Sequence, residues 1–227
     1  MFITFEGVEG CGKTTQIRRL ARRLMNHRVP LVLTLEPGGT KIGGKIRSIL
    51  LDSKNTNLSP LSELMLYAAD RAQHVEEVIK PALDRGKWVL CDRFTDATVA
   101  YQGIARGLDM KLIRTLNERI TQGIKPDMTF LLDCPIELGL ARALHRNNNA
   151  KTKGEDRFER EKKAFHRMVR EGYLTLSRKE PKRVFVIQTD ASKREVEESI
   201  FRYLEPWVRR YVKKPECLAL PSGDEWP

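Results

Sequence analysis

Cysteine is scarce in this sequence, and long apolar runs are missing. The 227 residues include only four cysteines, no two of which form a CxxC pair: Cys11, Cys91, Cys134 and Cys217. This spacing argues against a zinc site and a disulfide scaffold and favours reduced thiols. No apolar run approaches the roughly 18 residues of a membrane span, and no basic region precedes the first apolar segment. We therefore expect a soluble, cytoplasmic protein without a membrane partner.

Acidic residues are fewer than basic ones. The sequence has 30 Asp and Glu against 41 Lys and Arg, a formal net charge of +11. Such an excess is typical of proteins that bind nucleic acids, but equally of proteins whose substrates are polyanions. The basic residues cluster around 142–163 and 202–214, where acidic residues are interleaved with them. Because interleaved charges usually cover a solvated helix surface, we predict no nucleic-acid partner.

No linker divides the chain, so one domain is predicted over residues 1–214. The polar stretch 147–154 has no apolar residue except Ala150 and cannot bury itself. We expect a mobile lid at about 146–156. The tail 215–227 contains three prolines and no periodic pattern, and we expect it to be loosely attached.

The most informative motif is Gly7-Val8-Glu9-Gly10-Cys11-Gly12-Lys13-Thr14, which matches the phosphate-binding pattern GxxxxGK[ST] in full. An apolar run at 2–5 precedes it and an amphipathic segment at 16–25 follows it, the strand, loop and helix order that the motif requires. Its glycines let backbone N–H groups converge on phosphate oxygens at a helix N-terminus. Lys13 is predicted to lie between terminal phosphates, and Thr14 to bind Mg²⁺. A glycine-rich turn that merely joins a strand to a helix is the alternative.

Short apolar runs without alternation predict five strands buried on both faces, at 2–5, 31–35, 88–91, 128–132 and 184–187. Helical patterns lie between and after them, at 16–25, 42–51, 60–83, 111–121, 136–146, 157–179 and 193–212. The alternation predicts an α/β fold of the P-loop NTPase type. This is a three-layer sandwich with a five-stranded parallel sheet and helices on both faces. The ligand crevice is then expected at the carboxyl ends of the strands.

Charged residues follow the third predicted strand, at Asp92-Arg93-Phe94. In this position Asp92 can hold Mg²⁺ through water, and Arg93 can bind a phosphate with two parallel hydrogen bonds. A surface ion pair is the alternative, but the position directly after a buried strand favours the functional interpretation.

Two groups of residues at helical spacing are further candidates. Tyr67 and Arg71 lie one turn apart, so they can stack on a nucleobase and hydrogen-bond to its edge. A core tyrosine beside a surface arginine fits the same spacing. Arg142, Arg146 and Arg157 flank the polar stretch and can deliver positive charge when a lid closes. Solvated charges on a basic helix would show the same pattern, so periodicity leaves both interpretations open.

In their order along the chain, these motifs resemble the thymidylate kinase family of the bacterial type, and the likeness covers nearly the whole chain. Beyond the phosphate loop it is carried by Glu36-Pro37-Gly38-Gly39-Thr40, Ile46-Arg47-Ser48, Leu66-Tyr67-Ala68-Ala69-Asp70-Arg71, Asp92-Arg93-Phe94, Ala100-Tyr101-Gln102-Gly103, Lys125-Pro126-Asp127, Leu131-Leu132-Asp133, Asp156-Arg157-Phe158-Glu159 and Arg170-Glu171-Gly172-Tyr173-Leu174. The resemblance implies phosphorylation of dTMP to dTDP by ATP with Mg²⁺, in a homodimer packed through helices.

The resemblance also implies roles for single residues. Tyr67 would stack on thymine and Arg71 would reach its O4 atom. Tyr101 would exclude a ribose 2'-hydroxyl, Arg93 would hold the acceptor phosphate, and Glu9 would face the sugar 3'-hydroxyl or metal-bound water. The acceptor set is Glu36, Arg47, Tyr67, Arg71, Arg93, Thr98, Tyr101 and Gln102. The donor set is Gly7, Val8, Glu9, Gly10, Cys11, Gly12, Lys13, Thr14 and Thr15, and the metal set is Thr14 and Asp92.

The position of the catalytic arginine divides the family. Some members carry it inside the phosphate loop, but residues 8–11 of this chain contain no arginine. The chain therefore resembles the class that supplies it from the lid, with Arg146 as the first candidate and Arg142 and Arg157 next. With Lys13, Arg93 and Glu9 they form the predicted catalytic set.

Two departures from the family pattern stand out. Leu35 replaces a usual arginine, and Tyr67 replaces the commoner Phe. The rival functions are a kinase of UMP, CMP, AMP or a broader set of deoxynucleotides, a nucleic-acid-binding protein, and a GTP-dependent switch. The switch would need an Asn-Lys-x-Asp motif, which the chain lacks.

Overall fold

The structure is a computed structural model that describes residues 1–148, 154 and 156–212. The five strands of this part of the chain are Phe2–Glu6 (β1), Leu31–Leu35 (β2), Trp88–Asp92 (β3), Met128–Asp133 (β4) and Val184–Gln188 (β5). They form one sheet in the order β2-β3-β1-β4-β5, and every neighbouring pair is parallel. The predicted five-stranded parallel sheet is confirmed.

The α-helices of the described residues are Lys13–Asn26 (α1), Lys41–Leu51 (α2), Pro60–His74 (α3), Lys80–Asp84 (α4), Thr95–Thr98 (α5), Met110–Ile120 (α6), Ile136–Asn148 (α7), Lys163–Lys179 (α8) and Lys193–Val212 (α9). Two π-helical segments, Val75–Ile79 and Val99–Ala105, continue α3 into α4 and extend α5. None of these helices combines the length and apolarity that crossing a membrane needs.

Alternate strand residues face two separate apolar clusters, because successive side chains of a strand point to opposite faces of its sheet. Ile3 and Leu90 belong to a cluster that also contains apolar residues of α1, α8 and α9. Phe2 and Val89 belong to another, together with residues of the π-helical segment Val75–Ile79. Apolar residues therefore cover both faces of the sheet, which is the predicted three-layer arrangement.

The register of the central strands places the predicted motifs side by side. Phe5 of β1 is aligned with Asp92 of β3, and Glu6 is aligned with Leu131 of β4. All three strands are parallel, so their carboxyl ends lie at one edge of the sheet. The phosphate loop after β1 therefore begins beside the Asp92-Arg93 pair.

The predicted helix over 157–179 begins later, at Lys163, and this boundary prediction was wrong. Asp156 does not cap a helix: its Oδ2 atom accepts a hydrogen bond from Arg160 Nε at 2.9 Å. The segment after it is instead joined to α2, because the Arg157 N–H donates to the Leu51 carbonyl at 3.3 Å. This hydrogen bond to α2 competes with the bonds that a helix beginning at Arg157 would form within itself.

Two other helical predictions also need correction. No helix was predicted over Tyr101 and Gln102, but they lie in the π-helical segment Val99–Ala105. The long helix predicted over 60–83 contains the π-helical segment Val75–Ile79, which precedes Pro81. Proline lacks the N–H that an uninterrupted α-helix would use at this position, and a π-turn is one way in which a helix accommodates the missing bond.

Helix α7 packs against the phosphate loop with no room for a side chain between them. A Cβ atom added to Gly139 would lie 2.5 Å from the Glu9 carbonyl oxygen, and one added to Gly10 would lie 1.9 Å from the Gly139 carbonyl oxygen. Both distances are shorter than van der Waals contact. The two glycines thus set how closely α7 approaches the loop.

We expect Gly139→Ala to destabilise the protein by about 1–3 kcal/mol, because overpacking forces the backbone to shift. The matched control is Gly44→Ala in α2, where an added Cβ would have no described atom within 4 Å. That variant should gain about 0.5–1 kcal/mol from helix propensity. Urea unfolding measures both, and equal stability of the two variants would contradict the close contact.

Candidate active site

The phosphate loop connects β1 to α1. Three of its glycines have positive φ values, +137° for Gly7, +66° for Gly10 and +99° for Gly12, a region that L side chains rarely adopt. Gly12 is also the N-cap of α1, where no described side chain caps the helix and the first turn has no acidic residue. The N–H groups at this helix end are therefore available to an anion such as a phosphate.

The Lys13 side chain folds back over the loop. Its ammonium group donates hydrogen bonds to the carbonyl oxygens of Gly7 at 3.0 Å and Val8 at 2.9 Å, and it lies 3.6 Å from Cys11 Sγ. These partners are neutral, whereas a phosphate is an anion that forms stronger hydrogen bonds with an ammonium group. A phosphate entering the loop would therefore compete effectively for Lys13.

A cleft of about 810 Å³ opens over the loop, a size typical of small-molecule sites. Of the predicted donor set, Gly7 and Val8 are buried in the loop. The others line the cleft: Glu9, Gly10, Cys11, Gly12, Lys13, Thr14 and Thr15. The cleft is also lined by Arg47, Asp92, Arg93 and Arg142, so predicted donor, metal and acceptor groups share one opening.

Thr14 and Asp92, the predicted metal ligands, lie in contact. The Thr14 hydroxyl donates to Asp92 Oδ2 at 2.8 Å. A hydroxyl and a carboxylate are oxygen ligands of the type that Mg²⁺ prefers, and Mg²⁺ usually adds water and substrate phosphates to one or two protein groups. Among the described residues, no three His, Cys, Asp or Glu are grouped so that they could hold a metal. The pair therefore fits a Mg²⁺ ion shared with a nucleotide.

The Glu9 carboxylate connects the phosphate loop to three other elements. Its Oε1 atom accepts from Arg93 Nη2 at 3.0 Å and from the Tyr101 hydroxyl, and its Oε2 atom lies 3.1 Å from His166 Nδ1. Burial raises the pKa of Glu9, but His166, Arg93, Lys13 and Tyr101 together lower it well below its ordinary value. Glu9 is therefore ionised at neutral pH in the centre of the site.

Arg93 has an unusual backbone for a residue with a side chain. Its φ is +73°, in the left-handed region. Its guanidinium donates to Glu9 and, through Nη1, to the Tyr173 hydroxyl at 3.2 Å, and its Cζ atom lies 5.0 Å from the centroid of the Tyr101 ring. The side chain is thus held on three sides at the boundary of the cleft.

A second, smaller cavity of about 40 Å³ adjoins the cleft and shares Glu9, Glu36, Arg93 and Phe158 with it. Seven of the eight predicted acceptor residues line this cavity: Glu36, Tyr67, Arg71, Arg93, Thr98, Tyr101 and Gln102. The eighth, Arg47, lines the larger cleft, where its Nη1 atom donates to the Pro37 carbonyl at 3.0 Å.

Arg71 is buried among partners from several elements. It donates to Glu36 Oε2 at 2.8 Å, to Thr98 Oγ1 at 2.9 Å, to Asn117 Oδ1 at 3.0 Å and to the Phe94 carbonyl at 2.9 Å. Only 1% of the residue is exposed. Its side chain is therefore fixed in place before any ligand arrives.

Comparison with known proteins adds to this geometry. A family model described as Thymidylate kinase matches residues 5–200. The chain is 55% identical over 199 residues to a thymidylate kinase of Geotalea uraniireducens, a match that covers 88% of this chain and 93% of that one. It is 58% identical over 188 residues to a thymidylate kinase of Desulfosudis oleivorans, covering 82% and 88% of the two chains. The chain belongs to the thymidylate kinase family.

A solved structure agrees with the assignment to the thymidylate kinase family. The crystal structure of thymidylate kinase from Ehrlichia chaffeensis aligns with a TM-score of 0.71 at 35% sequence identity. The alignment covers 90% of this chain and 98% of that one. The resemblance found in the sequence motifs is therefore confirmed for both the family and the fold.

In this member of the thymidylate kinase family, Phe158 lies between the two predicted aromatic contacts of the acceptor. Its ring centroid is 5.5 Å from that of Tyr101 and 6.5 Å from that of Tyr67. A cavity of about 40 Å³ holds a few water molecules, not a nucleobase. Binding of a base at this position therefore requires Phe158 or its neighbours to move.

The three candidate lid arginines of this family member differ in position. Arg142 is exposed on α7 and lines the larger cleft. Arg146 also lies in α7, but its side chain, like residues 149–153 and 155, falls outside the described part. Arg157 contacts α2 and α3: Nη2 donates to Glu63 Oε2 at 2.7 Å and Nε to the Leu50 carbonyl at 2.5 Å. These contacts favour an anchoring role for Arg157.

Sequence reasoning assigned no role to several residues that contact the site. Glu63 is fully buried and accepts from Gln102, Arg106 and Arg157. Its position in the first turn of α3 suggests only a favourable charge at a helix N-terminus, so the sequence contains no signal for this network. His166 could have been found, because it precedes Tyr173 by two helical turns and therefore shares its face of α8.

We expect Arg157→Ala to destabilise this family member by about 1.5–3 kcal/mol, because a buried carboxylate loses a charged hydrogen-bond partner. The matched control is Arg160→Ala, since Arg160 pairs with Asp156 while its own side chain is 63% exposed. Such exposed pairs contribute at most about 1 kcal/mol. Urea unfolding measures the difference. Unchanged stability of Arg157→Ala together with lost turnover would instead assign Arg157 to catalysis.

Proposed function

We propose that this chain is a thymidylate kinase that transfers the γ-phosphoryl group of ATP to dTMP and releases ADP and dTDP. The main support for the proposal is that the predicted donor and acceptor residues line one continuous opening. Lys13 and the N-terminus of α1 lie in the same cleft as Arg93, which in turn borders the smaller cavity. Family membership supports the choice of substrates.

The donor side is built from residues 7–15. We propose that their N–H groups surround the ATP phosphates, and that Lys13 leaves the Gly7 and Val8 carbonyls to bind the terminal phosphates. Its side chain needs only to exchange two neutral acceptors for an anionic one. Thr14 and Asp92 would hold Mg²⁺, which when bound neutralises phosphate charge.

The acceptor side is the smaller cavity. We propose that Tyr67 stacks on thymine, that Arg71 donates to its O4 atom, and that Thr98 and Gln102 complete the polar contacts to the ring. The internal bonds of Arg71 support this role, since they fix the donor in place. Glu36 orients Arg71 directly, and Arg47 supports the base side from the larger cleft.

The sugar and phosphate of dTMP would lie between base and loop. Tyr101, hydrogen-bonded to Glu9, would occupy the space of a 2'-hydroxyl and so favour a deoxynucleotide. Glu9 is ionised and can accept from the 3'-hydroxyl. Arg93 would bind the acceptor phosphate, which brings that phosphate to the same opening as the donor.

Transfer then requires mainly alignment and charge neutralisation. An oxygen of the acceptor phosphate forms the new bond to the γ-phosphorus, and the bond to the β–γ bridging oxygen breaks. Lys13 and Arg93 hold the two phosphates, and we propose a lid arginine, Arg146 first and Arg142 next, as the group that neutralises the transferring charge. Arg157 is the third candidate, and its contacts with Glu63 and Leu50 support anchoring more than direct contact.

We also propose that the protein is a homodimer in the cytoplasm. Large apolar side chains are exposed on the neighbouring helices α2 and α3, namely Ile42, Ile49, Leu61 and Met65, which supports a partner surface there. The described cysteines Cys11, Cys91 and Cys134 are free thiols, which fits a reducing compartment. The mass in solution, measured by light scattering, tests the dimer.

A coupled assay that follows ADP formation tests the proposed function. With ATP and Mg²⁺, we expect rapid turnover with dTMP and slow or no turnover with UMP, CMP and AMP, because Tyr101 and Arg71 select a deoxyribose and a thymine. Lys13→Ala, which removes the phosphate-binding ammonium, is the inactive control. A preference for AMP or CMP would overturn the assignment of substrate.

Arg146→Ala should lower kcat by about 10³-fold or more while changing the KM for dTMP little, because its charge is needed in the transition state. Arg142→Ala is the matched comparison on the same helix. A larger loss of kcat in Arg142→Ala would assign the catalytic role to Arg142. A change confined to KM in Arg146→Ala would assign that residue to ground-state binding.

A further inference from the structure

We propose that Glu6 and Tyr173 are positioning residues for the acceptor phosphate. The Glu6 carboxylate acts through the Tyr173 hydroxyl and the Phe94 N–H to hold Arg93 in its phosphate-binding conformation. This inference rests on the proposed function of Arg93.

The backbone around Arg93 gives the first argument. A non-glycine residue at φ +73° is costly unless its surroundings enforce that conformation. Hydrogen bonds to the last residues of β1 enforce it on both sides of Arg93. The Arg93 N–H donates to the Phe5 carbonyl at 3.0 Å, and the Phe94 N–H donates to Glu6 Oε1 at 2.7 Å. The Glu6 side chain therefore takes the place of a backbone partner where β3 ends.

The guanidinium gives the second argument. Arg93 Nη1 donates to the Tyr173 hydroxyl oxygen at 3.2 Å, and the Tyr173 hydroxyl donates to Glu6 Oε2 at 2.7 Å. A guanidinium can only donate, so the tyrosine oxygen must accept from it, and the single hydroxyl proton must be given to Glu6. Both Glu6 oxygens then accept hydrogen bonds, as an ionised carboxylate does. An ionised Glu6 thereby sets the direction of the hydrogen bonds that link it to Tyr173 and Arg93.

The surrounding charges give the third argument. Burial raises the pKa of Glu6 to about 7 and the Asp96 charge adds to the rise, while Arg93, Tyr173 and the Phe94 N–H oppose it. Asp96 is itself paired with Arg183, at 2.7 and 3.0 Å. Arg93 is therefore the cation that supports the buried Glu6 charge, and the two residues are electrostatically linked through Tyr173.

Neither positioning residue lines the cleft or the smaller cavity in the described part of the chain. Glu6 is fully buried and Tyr173 is 2% exposed. The Tyr173 hydroxyl can therefore reach a ligand through Arg93, which we propose binds the acceptor phosphate. The Tyr173 ring also lies 6.2 Å from the Tyr101 ring, a contact that Tyr173→Phe keeps. An amide oxygen in Glu6→Gln can still accept from the Phe94 N–H. A nucleotide and its parent nucleoside should respond differently to their substitution.

Glu6→Gln keeps the shape of the side chain but can no longer accept at both positions. If its amide oxygen accepts from Phe94, its amide nitrogen faces Tyr173 and cannot accept, so the Tyr173 O–H loses its partner and the Tyr173 side chain must reorient beside Arg93. Tyr173→Phe removes the hydroxyl altogether. Tyr203→Phe is the matched control, because Tyr203 lies on α9 with 41% of its surface exposed and takes no part in the site.

Calorimetric titration with dTMP and with thymidine, at the same pH and without ATP, tests the inference. We expect the wild type to bind dTMP more tightly than thymidine. Glu6→Gln and Tyr173→Phe should each weaken dTMP binding by about tenfold, since losing a charged hydrogen bond has an effect of this order. Thymidine has no phosphate for Arg93 to contact, so its dissociation constant should change by less than about twofold. Tyr203→Phe should bind both ligands as the wild type does.

Arg93→Ala supplies the reference for complete loss of the phosphate contact. Adding Glu6→Gln to it should have no further effect on dTMP binding, because both changes act through one guanidinium. If Glu6→Gln does not fold, Tyr173→Phe alone carries the same test with the same control.

The outcomes separate the inference from the function on which it rests. If the wild type binds dTMP no better than thymidine, the proposed role of Arg93 is wrong and the inference falls with it. If the wild type discriminates but both variants discriminate equally well, only the inference is overturned. Equal weakening of dTMP and thymidine would also overturn it, since this result would indicate general damage to the cavity.

Discussion

The ion pair between Arg93 and Glu9 connects the two halves of the site, and the remaining arrangement depends on it. Glu9 belongs to the phosphate loop after β1, whereas Arg93 follows β3, and their side chains meet at 3.0 Å. Because β1 and β3 are neighbours in a parallel sheet, the contact joins the proposed donor-binding loop to the proposed acceptor-binding residue at one edge. Two phosphates bound to these elements would therefore be brought close together, which is the main requirement of phosphoryl transfer.

Three cations of this site already have partners inside the protein. Lys13 donates to loop carbonyls, Arg93 to Glu9 and Tyr173, and Arg71 to Glu36 and Phe94. A buried cation without a partner would be strongly unfavourable, so these internal acceptors allow the charges to be placed before the substrate arrives. On substrate binding, we propose that Lys13 exchanges its carbonyl acceptors for a phosphate, whereas Arg71 and Arg93 keep internal partners that hold them in position. The reorganisation is then limited to a few side chains, with Phe158 among them.

The sequence was sufficient for the sheet because each strand is a short apolar run, and such runs are recognisable one at a time. Burial on both faces holds for the central strands, whereas the edge strands β2 and β5 have half-buried and exposed residues. The helix predicted from Arg157 failed for the opposite reason. Its local pattern is helical, since Asp156 and Glu159 have the spacing of a capping box. The Arg157 N–H and side chain instead bind carbonyls of α2 and the carboxylate of Glu63. A competing long-range partner cannot be read from neighbours in the sequence.

The sequence by itself determined the family, the phosphate loop and most of the residues around the two cavities, because these depend on motifs that are short and contiguous. Only the tertiary structure decided which side chains share a hydrogen-bond network. Glu6 and Tyr173 lie 167 positions apart, and Glu63 and His166 reach the site from positions just outside the motifs of their helices. Their contacts arise from the packing of helices on the edge of a parallel sheet, and that packing depends on buried surfaces contributed by residues far apart in the sequence.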